Sequence, residues 1–287
     1  MEQLEDIIRT GDAFFEKKNY SAALFYYNTS VRSDIPNPKK AYLWNKISCA
    51  YFHLKKFYNS FSSINTALEL DPGAAIYWIQ KGDILQSEAF SRYNEAINSY
   101  NKAAALDPHN PTVWIKLGVF NTRIQKFEEA LEAYNKALTL RPNDPELWYK
   151  KACVLNLMLY KKEKESRKKL SDDLLPEIEL LTEVLRTFHF VQKLDPRNSN
   201  VLYIIGVLHT KLKQYDEALH SFDEALKYHA SDKEKPMQIW YTKAELLEKM
   251  GRSSEAIEFY DRYDEALMTE YSEFMKAHPH TKSGLVL

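Results

Sequence analysis

Four tryptophans, Trp44, Trp78, Trp114 and Trp148, stand 34, 36 and 34 residues apart, and this ladder restricts the fold of the 287-residue chain more tightly than any other feature. A second ladder tracks it: Asp71-Pro72, Asp107-Pro108, Arg141-Pro142 and Asp195-Pro196, with steps of 36, 34 and 54 residues. A fixed period of this length marks a repeat architecture, in which each unit is one supersecondary element that stacks on the next. The steps imply two extra residues in one unit and twenty in another. A fifth tryptophan, Trp240, falls at an equivalent place late in the chain.

Each unit carries the same internal pattern. Between Pro111 and Asp144, Trp114, Leu117, Gly118 and Asn121 fall at helical spacing, followed by Ala130, Tyr134 and Ala137 on a second helix. The unit at Ala41 repeats it with Trp44, Ile47, Ser48 and Tyr51, then Ser60, Ile64 and Ala67. Small residues recur at Gly11, Gly82, Gly118, Ala152, Gly206 and Ala244, and again at Ala96, Ala130, Ala218 and Ala256. Mid-helix glycine costs about 1 kcal/mol against alanine, so its recurrence implies close helix approach with large aromatics filling the space beside it. Prolines mark the boundaries. Pro72, Pro108, Pro142 and Pro196 end units, and Pro111 and Pro145 open helices, where the missing N–H is harmless. Pro36, Pro38 and Pro236 are expected in connections, and Pro176 at the opening of a helix.

This pattern resembles the tetratricopeptide repeat: a first helix with W-x2-L-G-x2-Y, a second with A-x3-F-x2-A, then proline. The resemblance covers roughly Leu4 to Tyr260. It implies an all-α, right-handed superhelical solenoid of about seven helix–turn–helix units with a C-terminal capping helix. The expected units are 4–40, 41–74, 75–110, 111–144, 145–198, 199–236 and 237–270, forming one solenoid over 1–287, with the terminal helix and tail at 264–287.

Composition narrows the function classes. A formal net charge of −1 argues against broad nucleic-acid binding, which needs a basic excess to neutralise phosphates. No apolar run reaches the ~20 residues that span a bilayer, so no membrane partner is expected. Cys49 and Cys153 lie far apart without neighbouring ligand residues, which fits a reducing, cytoplasmic compartment and no cofactor or metal. Asn28-Thr29-Ser30 matches a glycosylation sequon but falls in an expected helix. No H-E-x-x-H, G-x-x-x-x-G-K-[ST], G-x-S-x-G or G-x-G-x-x-G occurs. His278-Pro279-His280 reads as a tail, and Glu128-Glu129 as first-turn acids that favour the helix dipole. The expectation is a protein-interaction scaffold or adaptor without enzyme activity. A self-assembling subunit is the alternative, with the groove or C-terminal segment joining homo-oligomers.

Two stretches depart from the period. Lys161 to Asp173 is rich in Lys and Arg, and is read as a solvated helix extension and loop, or as a basic projection toward an acidic partner. Leu267, Tyr271, Phe274 and Met275 share one helical face and are expected to cover the terminal apolar surface.

In the resembled family the first helix of each unit lines a concave groove. Carried over by position, the lining here is Asn45, Lys46 and Phe52, then Ile79, Gln80 and Asp83, then Ile115, Lys116 and Val119. Tyr149, Lys150 and Asn156, then Tyr203 and Val207, and finally Tyr241 continue it. Ile8, Asp12 and Phe15 precede these residues, and Cys49 and Cys153 sit among them. Such a wall suits another protein or a peptide segment, with the tyrosines as anchors. A heat-shock chaperone C-terminal carboxylate is not the expected guest. The places that would form its clamp hold Ile8, Asp12, Lys46, Ile76 and Gln80, and Asp12 would repel it.

Overall fold

The structure is a computed structural model that describes residues 2–169, 175–229 and 236–277. Among these residues there are fourteen α-helices and no strand. They pack as consecutive couples: α1 (Glu2–Glu16) with α2 (Tyr20–Val31), α3 (Asn37–His53) with α4 (Phe57–Leu70), α5 (Ala75–Leu85) with α6 (Tyr93–Leu106), and α7 (Pro111–Arg123) with α8 (Phe127–Leu140). A second series follows: α9 (Pro145–Lys169) with α10 (Leu175–Leu194), α11 (Ser199–Lys211) with α12 (Tyr215–Lys227), and α13 (Met237–Lys249) with α14 (Ser253–Ala277). The chain forms two compact units, Met1–Pro142 and Asn143–Leu287. In each unit the second helix of one couple packs on the first helix of the next.

Close approach within couples depends on the recurring small residues. A Cβ added at Gly82 would sit 2.6 Å from the ring of Tyr100, at Gly118 2.6 Å from Tyr134, and at Gly206 2.6 Å from Phe222. All three rings are buried, so each occupies the volume the missing side chain vacates. The second couple has no such ring, and there Ser48 and Ser60 each donate a hydroxyl to the other's carbonyl at 2.8 Å. A buried serine pair therefore closes the same gap with hydrogen bonds that leave no polar atom stranded.

Between couples the tryptophan ladder acts through its indole nitrogens. Trp78 Nε1 donates to the carbonyl of Pro72 at 2.9 Å, and Trp114 Nε1 to that of Pro108 at 2.8 Å. Each bond spans six residues and pins a first helix to the turn that closed the preceding couple.

Among the described residues, the turns inside couples share a left-handed residue. Lys18, Lys55, Gln125 and Lys213 have φ between 57° and 61°, Ser91 has 49°, and Gly251 has 76°. These residues end the first helices with a 6→1 bond, as where Lys56 N–H donates to Tyr51 C=O at 2.9 Å. In the third couple two further residues lengthen this turn, and Arg92 N–H reaches back to Leu85 C=O.

Pro38 and the terminal side chains differ from expectation, whereas the insertion follows it as a helix extension. Pro38 is inside the first turn of α3, which starts at Asn37, and Pro36 is its N-cap. A proline at that position needs no break, because its absent N–H has no helical partner. The twenty extra residues largely lengthen two helices: α9 runs through to Lys169, and Glu163 on the extension pairs with Lys211 of α11 at 2.7 Å. At the C-terminus α14 continues unbroken to Ala277, so the terminal segment is an extension of the last couple. Ala266 is buried, whereas Leu267, Tyr271 and Phe274 are exposed. The side chain of Met275, the residues Asp172 and Asp173, and His278-Pro279-His280 lie outside the described residues.

Candidate functional site

The first helices of neighbouring couples touch directly, α3 with α5 and α11 with α13. Each unit therefore has a layer of first helices whose side chains form a wall. Of the expected lining, Asn45 and Ile79 are buried in the layer, Val119 and Tyr241 are exposed, and Lys46, Phe52, Gln80, Asp83, Ile115, Lys116, Tyr149, Lys150, Asn156, Tyr203 and Val207 are half-buried.

In the first unit the charges on this layer are bound to one another. Asp83 accepts from the hydroxyl of Tyr100 at 2.6 Å and from Lys116 Nζ at 2.7 Å. Gln86 Nε2 donates to the same carboxylate at 3.1 Å. Asp12 repeats the arrangement, accepting from the Tyr27 hydroxyl at 2.7 Å and pairing with Lys46 at 3.0 Å. In both cases the aspartate and tyrosine belong to one couple and the lysine to the next. Burial, reinforced by the neighbouring carboxylate, pushes the Tyr27 and Tyr100 phenols far above the ordinary range, so both remain donors. Burial pulls the Lys46 ammonium down, but Asp12 and Tyr42 outweigh it and the net shift is upward. Lys46 also lies over the rings of Phe15 and Tyr42 at 5.7 and 5.4 Å. Cys49 sits beneath this network, and burial raises its thiol to about 11.

Position 119 is a valine, and Lys150, one repeat later, pairs with Glu146 on its own helix at 3.0 Å. Buried amides complete the wall: Asn45 Oδ1 and Gln80 Nε2 have no hydrogen-bond partner.

The second unit presents tyrosines instead, at repeat-equivalent positions of α9, α11 and α13. Tyr149 lies edge-on to Phe188 at 6.3 Å, and burial raises its phenol to about 12, assisted by Cys153. The Tyr203 hydroxyl is 3.2 Å from the Thr242 hydroxyl, linking α11 to α13. Tyr241 meets the rings of Tyr260 and Tyr263 at 5.9 and 5.3 Å. No group of three metal-ligating side chains occurs among the described residues, and none of their helices is long and apolar enough to cross a membrane.

Sequence reasoning placed Asp12, Lys46, Asp83 and Lys116 on the wall but missed that they neutralise each other. The signal was present, since Lys46 follows Asp12 by 34 residues and Lys116 follows Asp83 by 33. Tyr27 and Tyr100, which complete the two clusters, read only as packing aromatics.

Tetratricopeptide repeat profiles match residues 41–73, 89–152 and 205–270. With its tryptophan ladder, paired helices and small–large packing, the chain belongs to the tetratricopeptide repeat family. Among curated proteins it is similar to the DnaJ homolog subfamily C member 7 homolog of Dictyostelium discoideum, with 25% identity over 114 residues. That match covers 38% of this chain and only a fifth (20%) of the relative. Among solved structures, the C-terminal part of a TPR repeat-containing protein from Cytophaga hutchinsonii superposes with a TM-score of 0.66 at 15% identity, over 96% of both chains. YrrB, described as a TPR protein with an unusual peptide-binding site, superposes with a TM-score of 0.52 at 19% identity, over 72% of this chain and 93% of its own. These structural likenesses show the fold.

Proposed function

We propose that the chain is a protein-interaction scaffold that holds a neutral polypeptide segment against its first-helix walls. The observation that carries this reading is the pairing of Asp12 with Lys46 and of Asp83 with Lys116. With those charges bound internally, the wall of the first unit offers a guest aliphatic side chains and amides, and the wall of the second offers tyrosine rings. Such a surface recognises main-chain amides and apolar anchors. It gives a charged carboxylate terminus no free clamp, so a heat-shock chaperone tail is a poor guest. Neither a nucleic acid nor a membrane finds a complementary surface here. The function is binding without catalysis, and a reducing cytoplasm suits the two free thiols.

Titration calorimetry against a panel of neutral, apolar-anchored peptides tests this, with Tyr149→Ala and Tyr203→Ala as controls. Binding should weaken at least tenfold in one of the variants, corresponding to loss of about 1.4 kcal/mol. It should change less than about threefold between low and high salt, because no net charge is neutralised. Unchanged binding in both variants rejects the wall as the site.

A further inference from the structure

We propose that the third couple carries a second binding site, a cleft that takes the carboxylate side chains of an acidic polypeptide segment. The cleft has a volume of about 280 Å³ and lies between Trp78, Lys81 and Leu85 of α5 and Glu95, Asn98 and Lys102 of α6. This is room for side chains rather than for a cofactor, since drug-sized sites run to ~300–1,000 Å³. The Lys81 and Lys102 ammoniums each stand 5.4 Å from the centre of the Trp78 ring. Neither makes an ion pair or hydrogen bond among the described residues. Glu95 does not neutralise them, because Arg92 holds its carboxylate through two bonds of 2.5 Å. Burial lowers the Lys81 ammonium more than Glu95 raises it, and Arg92 adds to the fall. An anion brought into the cleft relieves that cost.

The seventh couple shows what the third lacks. Counting from the small residues Gly82 and Ala244, Lys243 takes the place of Lys81, and counting from Ala96 and Ala256, Arg262 takes the place of Lys102. Both are paired: Lys243 with Asp223 on the second helix of the couple before, and Arg262 with Glu258 one turn back at 2.5 Å. At the third couple the places of Asp223 and Glu258 fall to Asn65 and Asn98. The fourth couple agrees. There Lys136, in place of Lys102, lies over Trp114 at 4.5 Å and pairs with Glu132, in place of Asn98, at 2.7 Å, and the buried Leu117 stands where Lys81 does. At the third couple two amides thus replace two carboxylates while both cations stay. A guest that supplies the carboxylates completes two charge-assisted pairs.

The rim favours a polypeptide over a small anion. Lys81 also lies over Phe61 at 5.7 Å, Phe61 meets Phe90 at 5.1 Å, and Phe90 meets the exposed Tyr58 at 5.1 Å. This aromatic shelf beside the lysines accommodates an apolar residue next to an acidic one. On α5, helical spacing sets Trp78, Lys81 and Leu85 opposite Ile79, Gln80 and Asp83, so the cleft is separate from the first-helix wall.

Titration calorimetry on the full chain tests this, with a blocked peptide of alternating glutamate and leucine as the probe. Its glutamine–leucine counterpart should bind at least about tenfold more weakly. Raising salt from about 10 mM to about 1 M, which shortens screening from ~30 to ~3 Å, should weaken the glutamate peptide to a similar degree. Asn65→Asp with Asn98→Glu should do the same, because the chain then neutralises its own lysines, and so should Lys81→Leu, which copies Leu117. Lys136→Gln, whose ammonium Glu132 already holds, should leave binding unchanged. Thermal unfolding confirms that the variants are folded. Equal binding of the two peptides overturns the inference, as does unchanged binding in both Lys81→Leu and the Asn65→Asp, Asn98→Glu protein. Glutarate binding as tightly as the peptide overturns the polypeptide as guest. Tyr149→Ala and Tyr203→Ala should leave this site unaffected, so the cleft and the wall can fail separately.

Discussion

Lys116 reaches across from one helical couple to place its ammonium 2.7 Å from the Asp83 carboxylate of the couple before it. The carboxylate is only 14% exposed and the lysine 38%, so the two contacts of Asp83 differ in weight. The exposed side of the ion pair contributes at most about 1 kcal/mol, whereas the Tyr100 hydroxyl, left with only the amide that Gln86 donates to it, loses its acceptor at a cost of about 1–3 kcal/mol. Asp83→Ala should therefore destabilise more than Lys116→Ala, and Asp83→Asn, which keeps an acceptor for Tyr100, should fall between them. Urea unfolding midpoints check the order, and equal losses for all three would contradict it.

Gly118→Ala should lose about 1–3 kcal/mol, the ordinary cost of overpacking, because the new methyl meets the buried Tyr134 ring at 2.6 Å. Gly73→Ala has only an Asp71 carboxylate oxygen at 3.5 Å and should stay within about 0.5 kcal/mol of the parent. Thermal unfolding of the two variants side by side decides the matter.

Gln125→Gly should stabilise. Its φ of 61° is left-handed, where a side chain is strained, and glycine relieves that strain for a net gain of about 0.5–1 kcal/mol after its greater unfolded-state entropy is deducted. Gly251→Ala, at φ 76°, should act in the opposite direction. Melting temperatures that move the other way would remove this account of the turns.

Stability should decline above about pH 9. Cys49 ionises at 9.0 when unperturbed but near 11 in the fold, and Tyr149 moves from 10.0 to about 12. Each group therefore stays protonated in the native state over a range where the unfolded chain releases the proton. This favours unfolding as pH rises through the window. Denaturation midpoints measured at pH 8, 9 and 10 check the sign, with Cys49→Ala flattening the first part of the decline.

Much of the fold was legible because packing repeats leave repeating residues. Gly82 and Gly118 announced the close approaches of Tyr100 and Tyr134, and Trp78 and Trp114 announced the couples they begin. Less regular features were harder to read. The left-handed turn residues are mostly Lys and Gln, which carry no turn signal, so the tight hairpin geometry was invisible. The Lys161–Lys169 run read as loop or helix extension because its charges mask helical periodicity, although Glu163 anchors it to Lys211. On the wall, residue-by-residue transfer placed Asn45 and Ile79 where a guest would lie, but both are buried between helices. Exposure depends on how neighbouring first helices close, which no single repeat encodes.

The indole bonds from Trp78 to Pro72 and from Trp114 to Pro108 make the joints between couples metrically fixed, whereas the bends inside couples are free to vary. Both length changes in this chain obey that division, one at the α5–α6 bend and the other at the α9–α10 bend. Foreign sequence introduced after Ser87 should accordingly be tolerated, while a single residue added between Pro108 and Trp114 would put every later helix out of step.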